Sequence, residues 1–420
     1  MNLKNVTYLN SSMEFETHNM TIKNGEIHSI TNSSSSEEDI DCSDYLVLPG
    51  LVNAHFHSYS TLAKGLMKEM PLEEWSNDSE QGKIQEVFFN YIDNVISEKD
   101  FVHIAQKSYI NMIKNGVTFV SDSDPQSPQL LSDAMNEVGI RGIIDTYEEI
   151  GEYHNKHEGN ILFGTHLLEE EDFNLEDLHK LKEVKDKYNS IMMTHCLENE
   201  WRHNLVQSKF EKSSIDIYSE LGLLDYRTVL FHGVYMSKSD IDLVAKHKSA
   251  VVHCPISNLE TGAGVADVSY MLQKGVNVSL GTDYGHTNMW ELMRLAYYLL
   301  KINNPVNKYS AEDIFKMATI NGAKTYGSQD LGQIREGCKA DLVFIKKEAG
   351  LEPLLNNEMF SNYLHNLLFY NKEDSVEHVM VDGKWVMENR KLVNVDEEKV
   401  ESRYNELAAG FLNYLKAQSD

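Results

Sequence analysis

From Leu46 to Thr282 short β-type runs alternate with longer segments of helical spacing, and this alternation restricts the fold more than any single motif does. The strand candidates are Val47–His55, Val117–Ser121, Ile140–Asp145, Ile161–Thr165, Ser190–His195, Val229–His232, Ala250–His253 and Val276–Thr282. Amphipathic stretches such as Phe101–Asn115 and Asp240–Lys246 lie between them. A strand followed by a helix and then another strand favours parallel pairing, and eight such repeats predict a closed (β/α)₈ TIM barrel. At 420 residues and 41% hydrophobic content, the chain can bury a barrel and a smaller companion domain.

The flanks read differently. Val6–Leu9, Met20–Ile30 and Leu46–Leu48 precede the barrel, and Ala340–Lys346 and Val376–Val386 follow it, as short strands punctuated by Asn24-Gly25 and Asp382-Gly383 hairpin signals. Neither flank is large enough to bury a sheet alone, so the two chain ends are expected to join in one small, sandwich-like β-domain. The expected division is residues 1–48 and 337–420 for that domain, with a terminal helix over Glu397–Leu415, and residues 49–336 for the barrel. The polar tract Asn32–Asp39 reads as an exposed loop.

Charge narrows the class of partner. With 38 basic and 65 acidic residues the net charge is −27, which opposes nucleic-acid phosphate and anionic membranes and favours a small-molecule substrate. Cys42, Cys196, Cys254 and Cys338 are widely separated, suggesting neither a disulfide framework nor a zinc knuckle. No signal-peptide-like start or long apolar span stands out, so the expected location is the cytoplasm.

In a parallel barrel the reactive side chains stand at the C-terminal strand ends, and here those ends are rich in histidine. Strand one ends in His55-Phe56-His57, strand five in His195 with Glu198 beyond, strand six in His232, strand seven in His253, and strand eight in Asp283. The doublet alone is weak, because 17 histidines in this length would give roughly 0.7 such pairs by chance. Its position gives it weight. His55, His57, His195 and Asp283 form a nitrogen- and oxygen-rich set suited to one Zn²⁺ or Fe²⁺ with an open site for water. Water on such an ion ionises near pH 7, Glu198 is placed to shuttle a proton, and His232 to polarise the bond under attack. Plainer roles fit the same residues taken singly: a hydrogen-bonded core histidine, a helix cap at Asp283, a solvated Glu198, and a hydrogen-bonding neighbour of the site at His253.

Taken in order, Leu48-Pro49-Gly50-Leu51-Val52-Asn53-Ala54-His55-Phe56-His57, Pro71-Leu72-Glu73-Glu74-Trp75, Thr194-His195 with Glu198, Val252-His253-Cys254-Pro255, Leu280-Gly281-Thr282-Asp283 and Leu331–Val343 resemble the amidohydrolase superfamily. The resemblance covers nearly the whole chain. It points to the branch of atrazine chlorohydrolases, guanine and cytosine deaminases, and S-adenosylhomocysteine/5′-methylthioadenosine deaminases. It implies that His55, His57, His195 and Asp283 hold one divalent metal, Zn²⁺ in preference to Fe²⁺. It also implies that Glu198 protonates a ring nitrogen, that His232 stabilises the attacked centre, and that Asp283 takes a proton from the metal-bound water. The activity so implied is deamination of an amino-substituted nitrogen heterocycle by metal hydroxide, releasing ammonia. The alternatives are a chlorohydrolase or other C–N hydrolase using the same site, and an inactive binding homologue. Barrels of this family commonly form homodimers or larger homo-oligomers. Strand four ends in His166 with no lysine, so a single metal is expected, and His166 joins Trp75, Tyr284 and His286 as candidate substrate contacts.

The sequence also departs from the family where substrate is read. Where adenosine-type deaminases place an acid that grips the ribose hydroxyls, Gly82–Glu86 offers Ile84, with Glu80 and Glu86 as substitutes. Tyr284 and His286 are bulky where small residues are usual, which predicts a reshaped pocket. Glu148, Glu149 and Glu152 lie where relatives carry arginines. A neutral or cationic amine-bearing substrate is expected in consequence.

Overall fold

The computed structural model describes all residues except 33–38, 67–68, 76–78, 125–126, 148–158, 373 and 420. The barrel strands run Leu51–His57, Val117–Asp122, Arg141–Thr146, Ile161–His166, Met192–Cys196, Thr228–His232, Ala250–His253 and Asn277–Leu280, each parallel to the next. A short segment, Asp283–Tyr284, completes the eighth strand. It pairs with Phe56–His57 of the first, while Asn277–Leu280 pairs with the seventh, and the ring closes. Val52, Ala54, Phe119, Ile143, Met193, Val229, Phe231 and Val252, contributed by six strands, share one buried apolar cluster that fills the barrel. Among the described residues no helix is long and apolar enough to cross a membrane.

Both chain ends feed one second sheet, ordered Lys391–Leu392, Lys384–Glu388, Val376–Val381, Leu342–Lys346, Tyr45–Pro49, Asn2–Leu9, Phe15–Lys23 and Glu26–Thr31. Its two predicted hairpins form as their sequences demand. Asn24 and Gly25 have φ of 54° and 79°, and Asp382 and Gly383 have 51° and 70°, the doubly left-handed backbone that two-residue turns require. One expectation changes. Val47–His55 is not a single strand: Tyr45–Pro49 pairs antiparallel with Leu342–Lys346, and the barrel strand starts at Leu51. The break falls at Gly50, where a Cβ would lie 1.9 Å from Thr118 Oγ1, so only glycine lets the chain pass. A terminal helix, Glu397–Ser419, extends the predicted Glu397–Leu415.

Candidate active site

His55, His57, His195 and Asp283, from strands one, five and eight, meet at the C-terminal mouth of the barrel. All four are buried, and each offers a donor atom within 4.8 Å of the others. Asp283 Oδ1 stands 3.2 Å from His55 Nε2 and 3.3 Å from His57 Nε2, and His195 Nε2 stands 3.4 Å from His57 Nε2. His57 Nδ1 donates to the Ser123 carbonyl at 2.6 Å, and His195 Nδ1 donates to Glu169 Oε1 at 2.8 Å. Each ring thus keeps its hydrogen-bonded Nδ1 away from the centre and turns Nε2 toward it, where a metal ion can take the place of a proton. The donor set therefore fits a divalent metal. Burial works against the charge of Asp283, yet His55, His57 and His232 hold its carboxyl well below the usual carboxylate range.

Glu198 and His232 stand beside these donors. His232 Nδ1 donates to Asn258 Oδ1 at 2.7 Å, and its Nε2 lies 3.9 Å from Glu198 Oε1 and 3.8 Å from Asp283 Oδ2. Strand geometry alone does not put them there. Leu197, His232 and Asp283 have φ of 47°, 71° and 60°, a left-handed backbone that costs about 1–2 kcal/mol per non-glycine residue. That strain coincides with the turns that aim the site.

Residues 46–386 match the sequence model of the Amidohydrolase family. The chain belongs to the amidohydrolase family. It is 29% identical over 399 residues to the 5-methylthioadenosine/S-adenosylhomocysteine deaminase of Pyrococcus abyssi, covering 89% of each chain. The enzyme of the same name from Pyrococcus furiosus is 30% identical over 416 residues, covering 91% of this chain and 94% of its own. An adenosine deaminase from Xanthomonas campestris with bound zinc superposes with a TM-score of 0.88 at 20% identity over 98% of both chains, a likeness of fold. This amidohydrolase is thus a hydrolytic enzyme acting on C–N bonds, with a His/His/His/Asp site for a divalent metal.

A cavity of about 340 Å³ opens onto the donors of this amidohydrolase. Tyr59, Phe89, Trp75 and Tyr284 form a closed circuit of ring contacts at 6.0, 6.1, 5.1 and 6.0 Å around one side of it. Trp75, His166 and Tyr284, three of the residues expected to contact substrate, stand on the cavity wall. His286 does not. It faces a neighbouring cavity of about 740 Å³ beyond Tyr284 and pairs with Glu260 at 3.0 Å. Burial disfavours a charged His166, but Asp145 at 2.8 Å and Glu169 at 3.3 Å outweigh it and push the ring up to about 10. His253 is buried off the described wall, pushed down to about 3 by burial and then by His232.

The stretch around Ile84 adds no acid to the described wall. Ile84 lies on the helix Glu80–Asn90 and is absent from the described wall, as are the exposed Glu80 and Glu86. Asp93, from the π-helical turn Tyr91–Val95 that follows, lines the cavity instead, its carboxyl raised by burial. Glu148, Glu149 and Glu152 lie outside the described residues. Two further wall residues, Glu169 and Arg202, have no counterpart in the sequence reading. Arg202 stands in the first turn of the helix Glu200–Phe210 and Glu198 just before its cap, Asn199, so no periodic spacing signalled the pair.

Proposed function

We propose that this amidohydrolase is a zinc-dependent deaminase that replaces the exocyclic amine of a nitrogen heterocycle with oxygen and releases ammonia. The observation that carries the reading is the convergence of Glu198, His232 and Asp283 on one small volume beside the metal donors. Such a set suits attack at an sp² carbon next to a ring nitrogen. Glu198 delivers the proton that the ring nitrogen takes up as the carbon becomes tetrahedral. His232, oriented through Asn258, stabilises the charge that grows at the attacked centre. Asp283 accepts the proton given up by the nucleophile and passes it to the amine, which departs as ammonia. When bound, a divalent metal supplies a water that ionises near pH 7, and three imidazoles with one carboxylate suit Zn²⁺.

The wall favours an adenosine-type nucleoside without an anionic tail. Its aromatic rings offer faces for a base, and Asp93 offers a carboxylate to sugar hydroxyls. Arg202 and His166 are each engaged by at least two carboxylates, so neither is a spare cation for an amino-acid carboxylate. The names of the Pyrococcus relatives support an adenine nucleoside. Ammonia release from the zinc-loaded protein, assayed with adenosine, 5′-methylthioadenosine, S-adenosylhomocysteine, guanine, cytosine and melamine, tests the reading. The expected result is a kcat/KM at least about tenfold higher for 5′-methylthioadenosine or adenosine than for S-adenosylhomocysteine, the worth of roughly 1.4 kcal/mol. Equal use of S-adenosylhomocysteine would remove the charge argument. No ammonia from any amine, with chloride released from a chlorotriazine, would replace deamination by dechlorination.

A further inference from the structure

Three consecutive glutamates, Glu169, Glu170 and Glu171, stand in the turn after strand four, and all three grip strand five or the segment that follows it. Glu169 Oε1 accepts from His195 Nδ1 at 2.8 Å, and its Oε2 pairs with Arg202 Nη1 at 3.1 Å. Glu170, 2% exposed, accepts the Leu197 amide with both oxygens at 3.0 Å, at the residue whose φ is +47°. Glu171 Oε1 accepts from Arg202 Nη2 at 2.7 Å. Arg202, 7% exposed, then donates through Nη1 to Glu198 Oε2 at 2.8 Å. One guanidinium therefore ties two carboxylates of the turn to a third on the opposite loop, and the same turn holds a metal-ligand histidine.

We infer that the Glu169–Arg202 pair is a positioning device that fixes His195 and Glu198 relative to each other, an inference that rests on the deaminase reading for Glu198's role. Geometry argues for it. A buried glutamate on two rotatable carbons has several rotamers, and the planar Arg202 fork selects the one whose free oxygen, Oε1, faces His232. Glu169 fixes the ring plane of His195 through its other nitrogen, as hydrogen-bonded partners of metal-ligand histidines do. Because one carboxylate serves both Arg202 and His195, a shift of either loop moves ligand and proton carrier together. Arg202 and Glu169 are thus positioning residues, acting through Glu198 and His195.

The zinc-loaded full-length protein with R202Q, R202K or E169Q tests this. On the best substrate of the panel above, R202Q should lower kcat about 100-fold, the scale of a misplaced general acid, with KM changed less than about threefold. R202K keeps the charge without the fork and should recover roughly tenfold of that loss. A raised KM at unchanged kcat would make Arg202 a substrate contact and overturn the inference. Chelator competition needs no turnover: E169Q should bind zinc about 10–100-fold more weakly, and unchanged affinity would overturn the Glu169 half. If the unaltered protein deaminates nothing, the deaminase reading fails on its own. The positioning inference is then decided by that affinity and by a crystal structure of zinc-loaded R202K. A displaced Glu198 carboxylate upholds it, and one still facing His232 overturns it.

Discussion

Replacing Glu198 by glutamine keeps the side chain's shape and its acceptor for Arg202 while removing the proton it carries. E198Q should lose about 10²–10⁴-fold in kcat, with zinc content and thermal midpoint unchanged. A variant retaining a tenth of the activity would rule out proton transfer by Glu198. On the nucleoside reading, Asp93 serves binding instead. D93N should raise KM for a nucleoside about tenfold, the worth of one hydrogen bond to a charged group, and leave kcat and the use of the free base nearly unchanged. These two acids also mark what a sequence reveals at this scale. Metal donors must stand at strand ends, so His55, His57, His195 and Asp283 were legible once the strands were counted. Asp93 was not, because the helix Glu80–Asn90 carries the chain past the expected position, and only the path of the following turn decides which acid faces the cavity. Glu169 was hidden for a related reason: its partners, His195 and Arg202, lie on another loop.

Among the elements, the turn that follows strand four carries a buried carboxyl that links folding to pH. Burial pushes the Glu170 carboxyl from the ordinary range up to about 7, although Ser214, the Leu197 amide and Arg202 pull the other way. In the unfolded chain it ionises near 4.5, so across the interval up to about 7 the folded state holds a proton that the unfolded state has lost. Its stabilising contribution is complete below that interval and is lost as pH rises through it, by up to about 3 kcal/mol. E170Q does not titrate, so its thermal midpoint relative to the unaltered protein should climb between pH 5 and 8. A constant difference would show that Glu170 is ionised throughout. Most elements were readable because a period of two or of 3.6 residues survives in their sequences. The exceptions were set by contacts that no period carries: Gly50 splits one predicted strand because Thr118 occupies the space of a Cβ, and strand eight breaks before Asp283, where φ turns positive.

At the scale of the whole molecule, the barrel and the terminal sheet are locked by one buried arginine. Arg141 opens the third barrel strand, and its Nε and Nη2 donate to Asp341 Oδ2 at 2.7 Å and Asp382 Oδ1 at 2.9 Å, where the C-terminal end of the chain rejoins the sheet. Asp341 also accepts the Asp382 amide at 2.7 Å, so one carboxylate anchors both the return strand and the tip of its hairpin. The sequence predicted that the two ends would meet, from the inability of either to bury a sheet alone. It gave no sign of how they are held to the barrel, since Arg141 and Asp341 are 200 residues apart. An ion pair of this kind is weak evidence for net stability, but breaking it is costly, because Asp341 would remain buried with its main cation gone. R141M should therefore destabilise the protein by about 3–5 kcal/mol, measured by denaturant unfolding, while zinc binding by the folded fraction persists. R141M/D341N removes the stranded charge together with its partner and should recover much of the loss. If the double variant is no more stable than R141M, the joint depends on arginine's bulk and its bond to Asn160 rather than on charge.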